Sequence, residues 1–96
     1  METIKEIEPK TLYFTFWHNQ TDPKTGKSIK DCIVKVTAPS AQDCRMVIQT
    51  FLGLQYIREW PKQPEPHLFG LYDFYLWKEI VYDGEQIQTV VKQEIK

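Results

Sequence analysis

A segment near the middle of the chain carries complete start and stop signals for a helix. Pro39 cannot continue a preceding strand, Ser40 is a favoured N-cap, and Asp43 follows in the first turn. Gly53 is a natural residue just past the last turn, because glycine takes the left-handed conformation without steric cost. Between these limits the apolar residues recur at spacings of three and four and form one stripe: Ala41, Cys44, Val47, Ile48, Phe51 and Leu52. The sequence therefore predicts a helix over residues 41–52.

Two strands joined by a loop are predicted before this helix. Residues 11–18 (TLYFTFWH) and residues 29–37 (IKDCIVKVT) are rich in aromatic and β-branched side chains. Residues 19–27 (NQTDPKTGK) combine Asp-Pro with a glycine, which is typical of a hairpin loop. In the first strand, alternation places Leu12, Phe14 and Phe16 on one face and Tyr13, Thr15 and Trp17 on the other. In the second strand it separates Cys32, Val34 and Val36 from Ile33, Lys35 and Thr37.

The segment that follows the helix is predicted to begin with a short strand. The apolar stripe loses its regularity beyond Gly53, so residues 54–60 (LQYIREW) are interpreted as extended structure, with continued helix as the alternative. Residues 61–70 (PKQPEPHLFG) contain several prolines, which exclude regular structure and indicate a surface loop.

The last third of the chain is predicted to form a second hairpin. Asp83 and Gly84 lie between two strand-like runs, residues 71–82 and 85–96, and favour a two-residue turn. That turn would pair Ile80 with Ile87, Lys78 with Thr89 and Leu76 with Val91, all on one face. A helix over residues 72–82 is the competing interpretation.

These elements together predict an α+β fold. The sheet would be small and antiparallel, in the order β-β-α-β-β or with one more short strand after the helix, and one helix would pack on one of its faces. The 96 residues suffice for one core and not for two. We therefore expect an N-terminal arm over residues 1–10 and a single domain over residues 11–96.

Charge and hydropathy exclude several classes of protein. The formal net charge is −1, from 12 basic and 13 acidic side chains, which lacks the basic excess of a duplex-DNA binder. No apolar run approaches the ~20 residues that a membrane-spanning helix needs. Half of residues 1–8 are charged, which is unlike a secretion signal. Cys32 and Cys44 are expected to be reduced, partly buried thiols, so a cytoplasmic location is predicted.

No catalytic or metal-binding pattern is evident. The possible zinc ligands Cys32, Cys44, His18 and His67 are isolated, whereas zinc sites draw ligands in close pairs. The 4 glycines do not cluster into a phosphate-binding loop. We therefore predict no enzyme activity, no metal and no cofactor.

The surplus of aromatic residues points instead to binding. Tyr and Trp dominate the energetics of protein interfaces, so the residues predicted to contact a protein partner are Tyr13, Trp17, Tyr72, Tyr75 and Trp77. A homodimer through an exposed sheet face or edge, or a second small core, would also accommodate such residues. The alternative function is single-stranded nucleic-acid binding, in which Tyr13 and Trp17 stack on bases near the basic side chains Lys24, Lys27, Lys30 and Lys35.

About half of the chain resembles short uncharacterised proteins of bacteriophages and prophages. The matching residues are Phe14, Thr15 and Phe16 in the first strand, Ala38 after the second strand, and Arg45, Met46, Phe51 and Gly53 in the helix and its end. The chain departs from that group after Gly53, where Leu54-Gln55-Tyr56 replaces a Trp. The resemblance implies no catalytic activity. It implies a phage accessory protein that acts on a host component, including an inhibitor of host defence.

Overall fold

A computed structural model of the chain describes residues 9–17, 19–64 and 74–95. The elements are β1 (Lys10–Phe16), β2 (Cys32–Ala38), α1 (Ala41–Met46), a π-helix (Val47–Phe51), β3 (Tyr56–Trp60), β4 (Tyr75–Tyr82) and β5 (Ile87–Val91). The five strands form one sheet in the order β3-β1-β2-β4-β5, and the helical segment packs on one face. The predicted α+β class is confirmed, and so is the additional short strand after the helix. Residues 1–8 of the predicted arm lie outside the described residues, and Lys10 begins β1.

The sheet is mixed, so the prediction of a wholly antiparallel sheet is wrong in one pairing. β1 pairs antiparallel with both β2 and β3, and β4 pairs antiparallel with β5. β2 and β4, however, are parallel neighbours. The helical segment returns the chain across the sheet, so β3 runs in the same direction as β2. β4 runs in that direction as well, and parallel neighbours are joined by long crossovers rather than by tight turns.

The predicted first hairpin is confirmed, and Asp22 organises its loop. One carboxylate oxygen of Asp22 accepts a hydrogen bond from the backbone N–H of Lys24 at 3.2 Å, and the other accepts from the Thr25 hydroxyl at 3.0 Å. Gly26 has a φ of 73°, a conformation that favours glycine. These local bonds stabilise the turn at Asp22 in the loop between β1 and β2.

The helix begins as predicted and ends differently. The Ser40 hydroxyl accepts a hydrogen bond from the Asp43 backbone N–H at 3.1 Å, and Gly53 has a φ of 67°. The last turn is a π-helix, in which the Leu52 N–H bonds to the Val47 carbonyl at 3.0 Å. The π-helix has more residues per turn than the α-helix from which the buried stripe was predicted. Phe51, predicted on that stripe, is the last residue of the π-helix and is 50% exposed.

The second hairpin is confirmed, but its predicted register is wrong. The observed pairs are Ile80 with Thr89 and Lys78 with Val91, two positions from the predicted partners. The connecting loop spans residues 83–86, because one Asp83 carboxylate oxygen accepts hydrogen bonds from the backbone N–H groups of Glu85 and Gln86, each at 2.8 Å. These two bonds stabilise a longer loop than the two-residue turn.

The core lies between the sheet and the helical segment. Its fully buried members come from β1, β2, β4, the helical segment and the loop before β2, and include Phe14, Ile29, Val34, Val36, Cys44, Val47, Ile48 and Ile80. The Arg45 guanidinium donates to both carboxylate oxygens of Glu59, at 2.9 and 3.1 Å, and so ties the helix to the edge strand β3. Ile33 is also fully buried but is not a member of this cluster, because it points to the opposite face of the sheet.

The valines provide a matched test of this core. Val36 is fully buried in the central strand and Val90 is 52% exposed in the edge strand β5. We expect Val36→Ala to lower the free energy of unfolding by about 2 kcal/mol, because it removes buried methyl groups and leaves a cavity. Val90→Ala should change it by less than about 0.5 kcal/mol. Urea unfolding followed by circular dichroism measures both, and equal effects would contradict the assigned core.

Candidate binding surfaces

One candidate surface lies on the sheet face opposite the helix. Tyr13 of β1 and Trp60 of β3 are directly opposite each other in an antiparallel pair. The indole N–H of Trp60 donates to the hydroxyl of Thr15 at 3.1 Å, which holds the indole ring across β1. Thr15 is itself buried. The two strands therefore present a fixed pair of aromatic side chains.

Two cations accompany these rings. The Lys35 ammonium lies 5.9 Å from the ring centroid of Tyr13, and the Arg58 guanidinium carbon lies 5.0 Å from that of Trp60. Both distances allow a cation–π interaction. We call the group Tyr13, Trp17, Lys35, Arg58 and Trp60 the outer aromatic surface. Trp17 directly follows β1 and is 49% exposed.

The predicted partner-binding residues do not come together. Tyr13 and Trp17 belong to the outer aromatic surface, whereas Tyr75 and Trp77 lie on the helix side of the sheet. Tyr72 lies outside the described residues. Trp60 and Arg58 are not among the residues predicted above, although their alternation in the segment YIREW could have indicated that they share a face.

Trp77 is in the core, so its prediction as a contact residue is corrected. Its side chain is 3% exposed. The register between β2 and β4 shifts after Ile33 pairs with Leu76, so that the next pair is Val34 with Lys78 and Trp77 is the extra residue. This bulge lets both Trp77 and Ile80 reach the helix side, which strict alternation along β4 forbids. Leu76, predicted on the face of Ile80, lies opposite Ile33 instead.

A second candidate surface is a cleft on the helix side. It lies between the end of the π-helix, the loop of the first hairpin and strands β4 and β5, with a volume of about 400 Å³. Its lining is Asp22, Pro23, Lys24, Phe51, Leu52, Leu54, Trp77, Lys78 and Thr89. We call it the helix-side cleft. An edge of Trp77 contributes to it, and the Lys78 ammonium lies 4.2 Å from the centroid of that ring.

The two edge strands differ in how well they resist pairing with another strand. β3 carries Arg58 and Glu59 and has a register shift against β1 at Thr15 and Phe16, and such charges and irregularities discourage edge pairing. β5 (Ile87–Val91) has no charged residue, and Val90 and Val91 are exposed. β5 is therefore the edge that is more open to association.

The surroundings of the two cysteines disfavour the thiolate form that a nucleophile needs. Burial raises the pKa of Cys32 to about 11, although the hydrogen bond between its sulfur and the Tyr75 hydroxyl, 3.3 Å apart, acts against this. Burial also raises the pKa of Cys44. His18 and His67 lie outside the described residues, and within residues 9–17, 19–64 and 74–95 no three His, Cys, Asp or Glu side chains group as metal ligands.

Thiol reactivity tests this environment. At pH 8 the thiols of the native protein should react with 5,5′-dithiobis(2-nitrobenzoate) no faster than the protein unfolds to expose them. On the order of one part in a thousand of Cys32 is thiolate at this pH, because its pKa is about 11. Both thiols should react at once in guanidinium chloride. Rapid stoichiometric labelling of the native protein would contradict the burial of both cysteines.

The same shift gives a pH dependence of stability. The unfolded thiol ionises near pH 9 and the folded thiol near pH 11. The protonated form of Cys32 therefore favours folding fully below pH 9, and this contribution is lost as the pH rises toward 11. Cys32→Ala should weaken the loss of stability over that window, as measured by urea unfolding at several pH values.

Comparison with known proteins gives no significant match: no family model, no curated protein and no solved structure resembles the chain. Among the described helices, none is both long enough and apolar enough to cross a membrane.

Proposed function

We propose that the chain is a small non-catalytic binding protein that engages a protein partner through the outer aromatic surface. The observation that carries the proposal is the juxtaposition of Tyr13, Trp60 and Arg58 on one rigid sheet face, with the exposed Trp17 at its end. Tyr, Trp and Arg are the residue types most enriched at interface hot spots. Their placement on paired strands reduces the entropy that binding must remove.

The charges of this surface favour a partner that offers a carboxylate beside an apolar group. Glu79 lies 3.8 Å from the Lys35 ammonium and 3.5 Å from that of Lys92, so Lys35 is partly neutralised. Arg58 forms no ion pair with a carboxylate in the part of the chain that the structure describes, and its contact is the ring of Trp60. A guanidinium stacked on an indole can still accept a bidentate carboxylate at its edge.

The resemblance to phage and prophage proteins supports a biological setting for this activity. In that setting the chain is an accessory protein in the cytoplasm of the host, and it acts by occupying a host component in a stoichiometric complex. Inhibition of a host defence protein is one form of such an action. The surplus of binding residues over reactive ones agrees with this role, because an inhibitor needs contact area and no chemistry.

Matched aromatic substitutions test the proposal. Trp17 and Phe51 are exposed to nearly the same extent, 49% and 50%, and lie in different candidate surfaces. Affinity capture from a bacterial lysate should retain one host protein with wild type and with Phe51→Ala, and lose it with Trp17→Ala. With the purified partner, Trp17→Ala should weaken binding about 30-fold, which corresponds to a hot-spot loss of about 2 kcal/mol.

The other outcomes of this capture overturn the proposal in distinct ways. Loss with Phe51→Ala and retention with Trp17→Ala would move the interface to the helix-side cleft. If the capture yields only a second copy of this protein, a homodimer is indicated, and the uncharged edge strand β5 could form its interface.

Single-stranded nucleic acid is the second candidate, favoured by the two cation–ring pairs on the sheet face. Bases could stack on Tyr13 and Trp60 while Lys35 and Arg58 contact phosphates. Titration with a mixed-sequence oligonucleotide at low salt should then quench tryptophan fluorescence, and added salt should reverse the quenching. Absence of quenching at high micromolar concentrations would exclude this function.

A further inference from the structure

The helix-side cleft combines apolar walls with positive charge. Phe51 and Leu52 supply the accessible apolar surface, the nearly buried Leu54 and Trp77 lie behind it, and Lys24 and Lys78 complete the lining. A volume of about 400 Å³ falls within the range of small-molecule sites. We propose that this cleft binds a small apolar carboxylate, with the hydrocarbon against Phe51 and Leu52 and the carboxylate toward the two lysines.

The lysine charges are available to a ligand. In the described ranges, no carboxylate oxygen lies within 4.0 Å of the ammonium of Lys24 or Lys78. Asp22 is the acidic residue in the lining, but both of its carboxylate oxygens accept hydrogen bonds from its own loop, and its side chain is buried. Two lysines against one carboxylate leave the lining with a formal charge of +1, which favours an entering anion.

The π-helix is an independent indication that this region has a binding role. π-helical turns are uncommon and recur at functional sites. Here the turn ends at Phe51 and exposes half of that ring at the margin of the cleft. Exposure of a large apolar ring is unfavourable in water, and a bound hydrocarbon would cover it.

The form of the site selects a carboxylate over a phosphate. A phosphate site typically provides several convergent backbone N–H groups, as at a glycine-rich loop or a helix N-terminus. The cleft instead lies at the C-terminal end of the helical segment, where the free backbone groups are carbonyls rather than the N–H donors of a phosphate site, so the lysine ammonium groups must hold the head group. Two lysines at the rim suit a singly charged head group, and the apolar walls disfavour a strongly hydrated dianion.

Octanoate and its neutral analogue octanamide are suitable probes, because they share a hydrocarbon chain and differ in charge. We expect saturable octanoate-induced changes in the ¹⁵N-resolved NMR spectrum at Leu52, Leu54, Thr89 and the Trp77 indole. Octanamide should bind at least about tenfold more weakly, since it lacks the charge-assisted contacts. Glutarate, which has charge without a hydrocarbon tail, should cause no saturable change.

Lysine substitutions separate the cleft from the rest of the surface. Lys78→Met keeps the apolar stem and removes the charge, and should weaken octanoate binding about tenfold. Lys24→Met, in the exposed hairpin loop, should act in the same direction. Lys35→Met on the outer aromatic surface is the control and should leave the affinity unchanged. Thermal unfolding of each variant verifies that the fold is retained.

Any of four results would overturn the proposal, and three of them concern how octanoate binds. These are equal affinities for octanoate and octanamide, shifts confined to residues of the outer aromatic surface, and identical octanoate binding by wild type, Lys78→Met and Lys24→Met. Failure of octanoate to bind at all would overturn it as well. None of these results bears on the protein-binding role of Trp17, because the two surfaces lie on opposite faces of the sheet.

Discussion

Burial of the central strand β2 on both of its faces is the constraint on which the rest of the structure depends. Val34 and Val36 face the helical segment, whereas Ile33 is fully buried on the opposite side. β2 also has a neighbouring strand at each edge. The two candidate surfaces are built from the strands on either side of it: β1 and β3 carry the aromatic pair, and β4 and β5 form one wall of the cleft. A rigid centre thus holds both surfaces in place.

The bulge in β4 determines which aromatic residues are available for binding. Strict alternation would place Trp77 and Ile80 on opposite faces, and one of them would meet solvent or a partner. The extra residue reverses the alternation between them, so both enter the core. Trp77 then mainly packs in the core, and it also lines the helix-side cleft. The tryptophans available to a partner are instead Trp17, just after β1, and Trp60 of β3, and neither lies in this bulge.

Local signals could be predicted from the sequence, and effects of sequence-distant contacts could not. The Ser40 cap, the Gly53 terminator and the loop around Asp22 each depend on bonds within a few residues, and all of them are confirmed. The parallel partner of β2 and the bulge at Trp77 depend on contacts between segments far apart in the chain. The Asp83 loop also depends on local bonds, but its length was predicted wrongly. The two hydrogen bonds that the Asp83 carboxylate accepts from the backbone favour a longer loop than the two-residue turn typical of Asp-Gly. The aromatic site was therefore half predicted: Tyr13 and Trp17 lie on the outer aromatic surface, and Trp77 does not.

The parallel pairing of β2 with β4 also dictates the order in which the chain can fold. The first hairpin needs only neighbouring segments, but Cys32 meets Tyr75 across a separation of 43 residues. Pairings of such high contact order form slowly. While the chain is being synthesised, one edge of β2 therefore has no partner strand, and its apolar side chains stay exposed, until β4 has been made. During that interval the nascent chain is most exposed to mispairing, and its yield in a cell will depend on how quickly the last strands arrive.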